Sequence, residues 1–182
     1  MRVIAGVAKG HQLKAPKAGT TRPTSDLIKG AMFSIVEGIS PAWSTVLDLY
    51  AGSGALGIEA LSRWADRADF VESSPAACAV LRENLNHTKL TDKARIYCIP
   101  VEKAIASLRA RYDIIIVDPP YNMANLSGLL ESVAGSALVD GETTLVVEHS
   151  RRVALETGYG PLKLVKSRCH GDTVVSVFGQ EA

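Results

Sequence analysis

From Ser44 onward, short β-branched apolar runs alternate with longer segments whose apolar residues recur at helical spacing. The runs predict strands at Thr45–Tyr50, Ala68–Glu72, Ala94–Ile99, Tyr112–Val117, Thr143–Glu148, Lys163–Arg168 and Thr173–Phe178. Helices fit between them at about Leu56–Trp64, Ala76–Thr88, Glu102–Ala110 and Asn125–Ala137. Such alternation predicts a doubly wound α/β fold, a mostly parallel seven-stranded sheet with both faces covered. The last two strands lack a helix-length linker, and Gly171-Asp172 is a turn signal, so they should close the sheet as an antiparallel hairpin.

Ahead of the sheet the pattern differs. Met1 to Gly6 and His11 to Lys14 flank Lys9-Gly10, which predicts a small β-hairpin, and Pro16 to Thr21 is loop-like. Thr24 or Ser25 offers an N-cap, with Asp26 in the first turn, for a helix to about Glu37. Ile28, Met32, Phe33 and Val36 would form its apolar face. The chain thus divides into an extension, residues 1–40, and a sheet domain, residues 41–182.

Charge gives that division meaning. Residues 1–30 carry Arg2, Lys9, Lys14, Lys17, Arg22 and Lys29 against Asp26 alone, a net of +5, while the remainder carries −4. A basic arm on a mildly acidic body points to a polyanion contacted from one side, although a solvated tail has the same composition. With 182 residues, 47% hydrophobic and 21% charged, the chain suits one well-buried globular domain. Its apolar runs are too short to span a bilayer, and Lys9 interrupts the only N-terminal one, so the expectation is a cytoplasmic protein with no membrane association. Cys78, Cys98 and Cys169 lack C-x-x-C spacing and read as reduced thiols, with no metal site. No obligate protein partner is evident.

Two segments carry candidate chemistry. Asp118-Pro119-Pro120-Tyr121 follows the predicted strand Tyr112–Val117, and open α/β sheets bind ligands at the carboxyl ends of their strands. The same four residues also suit an ordinary turn. The second segment runs from Asp48 through Gly52-Ser53-Gly54 to Gly57, from a strand into a helix. Gly52 and Gly54 would let a ligand approach the backbone, and Gly57 would allow close helix-to-strand packing. Glu72, ending the next strand, is placed to hydrogen-bond a ribose. NAD and S-adenosylmethionine both present such a ribose. Asp48 argues for the second, since a carboxylate repels a pyrophosphate and attracts a sulfonium or ammonium, though it could also simply brace the loop.

Neighbouring first and fourth strands would bring the two segments into one cleft. There, Asp118 and the Pro119 carbonyl could accept both N–H bonds of a base amine, aiming its lone pair at a methyl donor. Neither proline has an N–H to compete. Tyr121 offers a stacking face, worth about 1–3 kcal/mol. Reaching a base amine calls for an unstacked or flipped base.

The stretch from Asp48 through Gly57 to Ser62 resembles the donor motif of the RsmD family, bacterial methyltransferases acting on a guanine N2 in 16S ribosomal RNA. Arg2 to Gly6, Arg22-Pro23-Thr24-Ser25-Asp26, Asp118 to Tyr121 and Gly171-Asp172-Thr173 resemble four further motifs of that family. The resemblance implies a Rossmann-like class I methyltransferase using S-adenosylmethionine, with 16S rRNA as partner, within a small-subunit assembly particle. It implies donor binding by Asp48, Tyr50, Gly52, Ser53, Gly54, Glu72, Val101 and Glu102, and catalysis around Asp118, Pro119, Pro120 and Tyr121. Arg2, Lys9, Lys14, Arg22 and Thr24 would meet the RNA. Two departures stand out: Ile99-Pro100-Val101-Glu102 where such enzymes often place an Asp for the donor's adenine amine, and Cys169-His170 before the closing turn. An adenine-N6 methyltransferase and a non-catalytic RNA-binding assembly factor are the rival expectations, and a nicotinamide oxidoreductase the remotest.

Overall fold

The computed structural model describes residues 1–16, 25–40 and 42–180. Arg22 and Thr24 lie outside the described residues. Helix α1, Asp26–Ile39, begins at Ser25, whose hydroxyl caps the Ile28 amide. Then follow β1 (Thr45–Leu49), α2 (Ala55–Arg63), β2 (Arg67–Val71), α3 (Pro75–His87), β3 (Ala94–Tyr97), α4 (Val101–Ser107), β4 (Ile114–Val117) and α5 (Leu126–Ala134). The chain closes with β5 (Thr144–Ser150), β6 (Gly158–Tyr159), β7 (Leu162–His170) and β8 (Thr173–Gly179).

The strands form one sheet in the order β3-β2-β1-β4-β5-β8-β7-β6. The first five are parallel to their neighbours, and β8 inserts antiparallel beside β5. The sheet has eight strands where seven were expected, because Gly158–Tyr159 adds a two-residue edge strand against β7. Two residues beside Gly160-Pro161 are too few to show a period-2 pattern, so the sequence carries no strand signal there.

Side chains alternate across this sheet. Ile114 and Ile116 join a core with Ile58, Leu61, Met32 and Phe33 on one side. Ile115 and Val117 join Leu129, Leu130 and Ile105 on the other. The isoleucine run of β4 is therefore buried on both faces, as a central parallel strand requires.

The N-terminal hairpin is a single antiparallel bridge, Arg2 to Gln12, flanked by backbone bonds of Val3 with His11 and Gly10. It docks on α2 through Glu59, which is fully buried. Glu59 accepts from the Ile4 and Ala5 amides at 2.9 and 3.0 Å, from Arg63 at 2.9 Å and from Lys29 at 3.0 Å. Lys29 is itself 0% exposed and also donates to the Arg2 carbonyl. One of the six cations of the basic arm is therefore an internal clamp and faces no ligand.

Candidate active site

Parallel pairing of β1 with β4 puts Leu49 opposite Val117, so the loops that leave these two strands start side by side. One carries Gly52-Ser53-Gly54 and the other Asp118 to Tyr121. Sequence reasoning made these two strands neighbours, and the register does so.

The glycine loop is a tight turn with Gly52 and Gly54 at φ 54° and 80°. A Cβ on Gly52 would meet only the Tyr50 carbonyl, at 3.9 Å, leaving the backbone open to a ligand. Gly54 serves differently from expectation: its Cβ would strike Leu81 at 2.0 Å, so its missing side chain makes room for α3. At Gly57 a Cβ would lie 2.2 Å from Phe70, which fixes the contact between α2 and β2. Ser53 is buried, and its carbonyl accepts from Asn84 at 2.9 Å.

Asp48 is 1% exposed and accepts one backbone bond, from Gly57 N–H at 2.8 Å. Burial pushes its carboxyl up to about 7; the Gly57 bond opposes that, and the charges of Asp118 and Glu72 add to it. Asp48 thus braces the loop and also stands in a negative field. Glu72 accepts from Gly52 N–H at 2.9 Å and Ser74 N–H at 2.7 Å, so it is already oriented at the end of β2. Carboxylate oxygens have further lone pairs for a ribose diol.

A cavity of about 550 Å³ opens between α4 and α5, lined by Tyr50, Glu102, Ile105, Met123, Asn125 and Leu129 among others. That is the size of a small-ligand pocket. Tyr50 is the non-glycine residue at φ 63° that turns the chain out of β1. Its hydroxyl is buried with no hydrogen-bond partner, and burial, with Glu102 adding, pushes its pKa up to about 12. An apolar slot with an orphaned hydroxyl and an exposed carboxylate at its rim suits a purine bearing an amine. Val101, beside Glu102 in the first turn of α4, is buried. These residues fit S-adenosylmethionine: acids for its cationic end, Glu72 for its ribose, and this slot for its adenine.

Beyond β4, Pro119 is buried and Pro120 is exposed, while Tyr121 is 41% exposed. The recess behind the prolines, which Glu148 also lines, holds about 10 Å³, room for one water. Tyr121 is anchored by its hydroxyl, which bonds Thr173 of β8 and donates to Glu148 of β5 at 3.4 Å. Burial raises the Tyr121 pKa, Thr173 lowers it, and the Glu148 and Asp118 charges raise it. Neither Thr173 nor Glu148 was singled out as a site residue from the sequence, although Thr173 lies in the closing motif noted there.

The cations are distributed unexpectedly. Arg2 pairs with Asp26 at 2.9 Å and Lys14 with Glu83 at 2.7 Å, both at the surface, while Lys9 is exposed. Arg151, Arg152 and Arg168 are exposed at the Tyr121 edge, where the Arg151 amide bonds the Asp172 carbonyl of the β7–β8 turn. Among the described residues no group of three or more His, Cys, Asp or Glu could hold a metal, and no helix is long and apolar enough to cross a membrane.

A family model described as "Conserved hypothetical protein 95" matches residues 1–179. YlbH of Bacillus subtilis is 36% identical over 98% of this chain and 98% of its own. Ribosomal RNA small subunit methyltransferase D of Escherichia coli is 28% identical over 100% of this chain and 91% of its own. A solved structure from Thermus thermophilus superposes with a TM-score of 0.85 at 30% identity, covering 100% of this chain and 99% of that one.

Proposed function

Because this chain belongs to the RsmD family, we propose that it transfers a methyl group from S-adenosylmethionine to the exocyclic N2 amine of a guanine in 16S ribosomal RNA. The observation that supports this reading is the register of β1 against β4, which starts the Gly52-Ser53-Gly54 loop beside Asp118 to Tyr121. That relatives of this chain are named as ribosomal RNA methyltransferases supports the RNA class.

Bound donor supplies an already activated methyl on a sulfonium, so the protein's task is positioning. Buried Asp48 supplies the negative charge that favours the donor's cationic end. Glu72 holds the ribose; Tyr50, Val101 and Glu102 enclose the adenine. On the acceptor side, Asp118 and the Pro119 carbonyl take the two amine hydrogens, and Tyr121 stacks the flipped base. Asp118 then accepts the proton that the amine sheds. Arg2, Lys9 and Lys14 of the 1–40 extension, with the exposed Arg151, Arg152 and Arg168, offer cations to the RNA backbone, a role that the sequence also gives to Arg22 and Thr24, outside the described residues. A small-subunit assembly particle is the proposed setting.

Asp118→Ala tests this directly. Donor affinity by calorimetry should stay within about threefold, while methyl transfer to RNA falls at least about 100-fold. Transfer unchanged in the variant would overturn the assignment, and binding of NADH in preference to S-adenosylmethionine would replace it with redox chemistry. A methyl on adenine N6 would move the enzyme to the rival specificity.

A further inference from the structure

We infer that Glu148 reads the N1–H of the target base and thereby selects guanine over other amine-bearing purines. The inference rests on the amine-methylating reading of the Asp118–Tyr121 site and adds the residue that discriminates among bases there.

Register places Glu148 beside that site. Val117 of β4 pairs with Val147 of β5, so Asp118 and Glu148 are the next residues on two adjacent strands. Glu148 follows Val147 of the second core within β5, so it projects to the opposite face, the one Asp48 shares. Across the next strand Glu148 pairs with Val175, two residues from Thr173. The Tyr121 hydroxyl joins the set by bonding both Thr173 and Glu148. Tyr121 thus lies within reach of both the Glu148 and Asp118 charges.

Glu148 is only 3% exposed and is oriented by the Tyr121 hydroxyl, which donates to it at 3.4 Å. Its chemistry matches guanine better than adenine or 2-aminopurine. Guanine's Watson–Crick edge presents adjacent N1–H and N2–H donors, whereas the other two present an unprotonated N1 that a carboxylate repels. With Asp118 and the Pro119 carbonyl occupied by the amine, a second carboxylate one strand over is what an N1–H requires. Accepting that hydrogen also pushes electron density through N1–C2 toward N2, which makes the amine a better nucleophile. No proton leaves N1, so the stoichiometry of transfer is unchanged.

The test compares target oligonucleotides carrying guanine or 2-aminopurine, which both have the 2-amine and differ at N1–H. Wild-type protein should favour guanine in kcat/KM by about 10- to 100-fold. Glu148→Gln, whose amide can donate to an unprotonated N1, should lower guanine transfer by about 10-fold or more and narrow that preference. Glu148→Asp keeps the carboxylate and should keep the preference while losing rate. A purely structural Glu148 would lower both substrates equally, and a guanine preference unchanged in Glu148→Gln would overturn the inference alone. Should Glu148→Gln not fold, an absent guanine preference in wild-type protein does the same. A wild-type protein that methylates neither oligonucleotide nor 16S RNA overturns the amine-methylating reading itself.

Discussion

Two of the almost completely buried carboxylates, Glu59 and Asp48, fare differently. Glu59, under the N-terminal hairpin, is surrounded by donors: two backbone amides, Arg63 and Lys29. Asp48, at the end of β1, has one backbone amide and two other acids for company. A buried charge with all its partners in place is a fastener. One held among like charges, with its carboxyl pushed up to about 7, is a place prepared for a cation that the chain itself does not supply. The contrast separates the structural end of the molecule from its chemical edge.

The sharpest way to break the contrast is at the fastener. Glu59→Ala strands the Lys29 and Arg63 charges and frees two amides, so it should cost about 3–5 kcal/mol. Thermal unfolding should show a fall in melting temperature of about 10 °C. A fall below about 2 °C would mean the cluster is not what holds the hairpin.

Asp48→Asn should do the reverse. At pH 8 the variant should be no less stable than the parent, because it removes a charge that burial disfavours. Donor affinity should drop by about 10- to 100-fold, since the cation loses its counter-charge. Equal affinity in both proteins would make Asp48 a loop brace only.

The pH dependence has a smaller, signed effect. Asp48 is protonated in the free fold up to about 7, against an ordinary value of 3.8, so the folded state holds the extra proton between those values. Its contribution to stability is therefore fully present below about 4 and declines as pH rises through about 7. A cationic donor favours the ionised form, so binding should release a proton and tighten by up to about 10-fold between pH 6 and 8. Calorimetry in buffers of different ionisation heat would detect that proton, and a pH-independent affinity would contradict it.

Most of the chemical edge was legible before the structure. Short apolar runs marked β1, β2 and β4, and the Gly-x-Gly-x-x-Gly spacing marked the loop, because these features depend on residues close in sequence. The fastener was harder to see, since Lys29 looks like one more cation of a basic arm. Its spacing with Met32, Phe33 and Val36 is that of a helix's buried stripe, which is the signal that was there to find. Glu148 and Thr173 were invisible as partners of Tyr121 because β8 inserts beside β5, a pairing between segments with no local mark. The adenine slot was likewise hidden: Tyr50 enters it only through the left-handed turn at the end of β1.

The most direct test of the proposed activity is mass mapping of RNA after reaction. Purified protein, labelled S-adenosylmethionine and 16S RNA or small-subunit particles from a strain lacking this gene are combined, and nuclease fragments are read for added methyl groups. The expected product is N2-methylguanosine at one guanine, formed by the wild type and lost in Asp118→Ala. No methyl gained, or the methyl found on adenine N6, would contradict it.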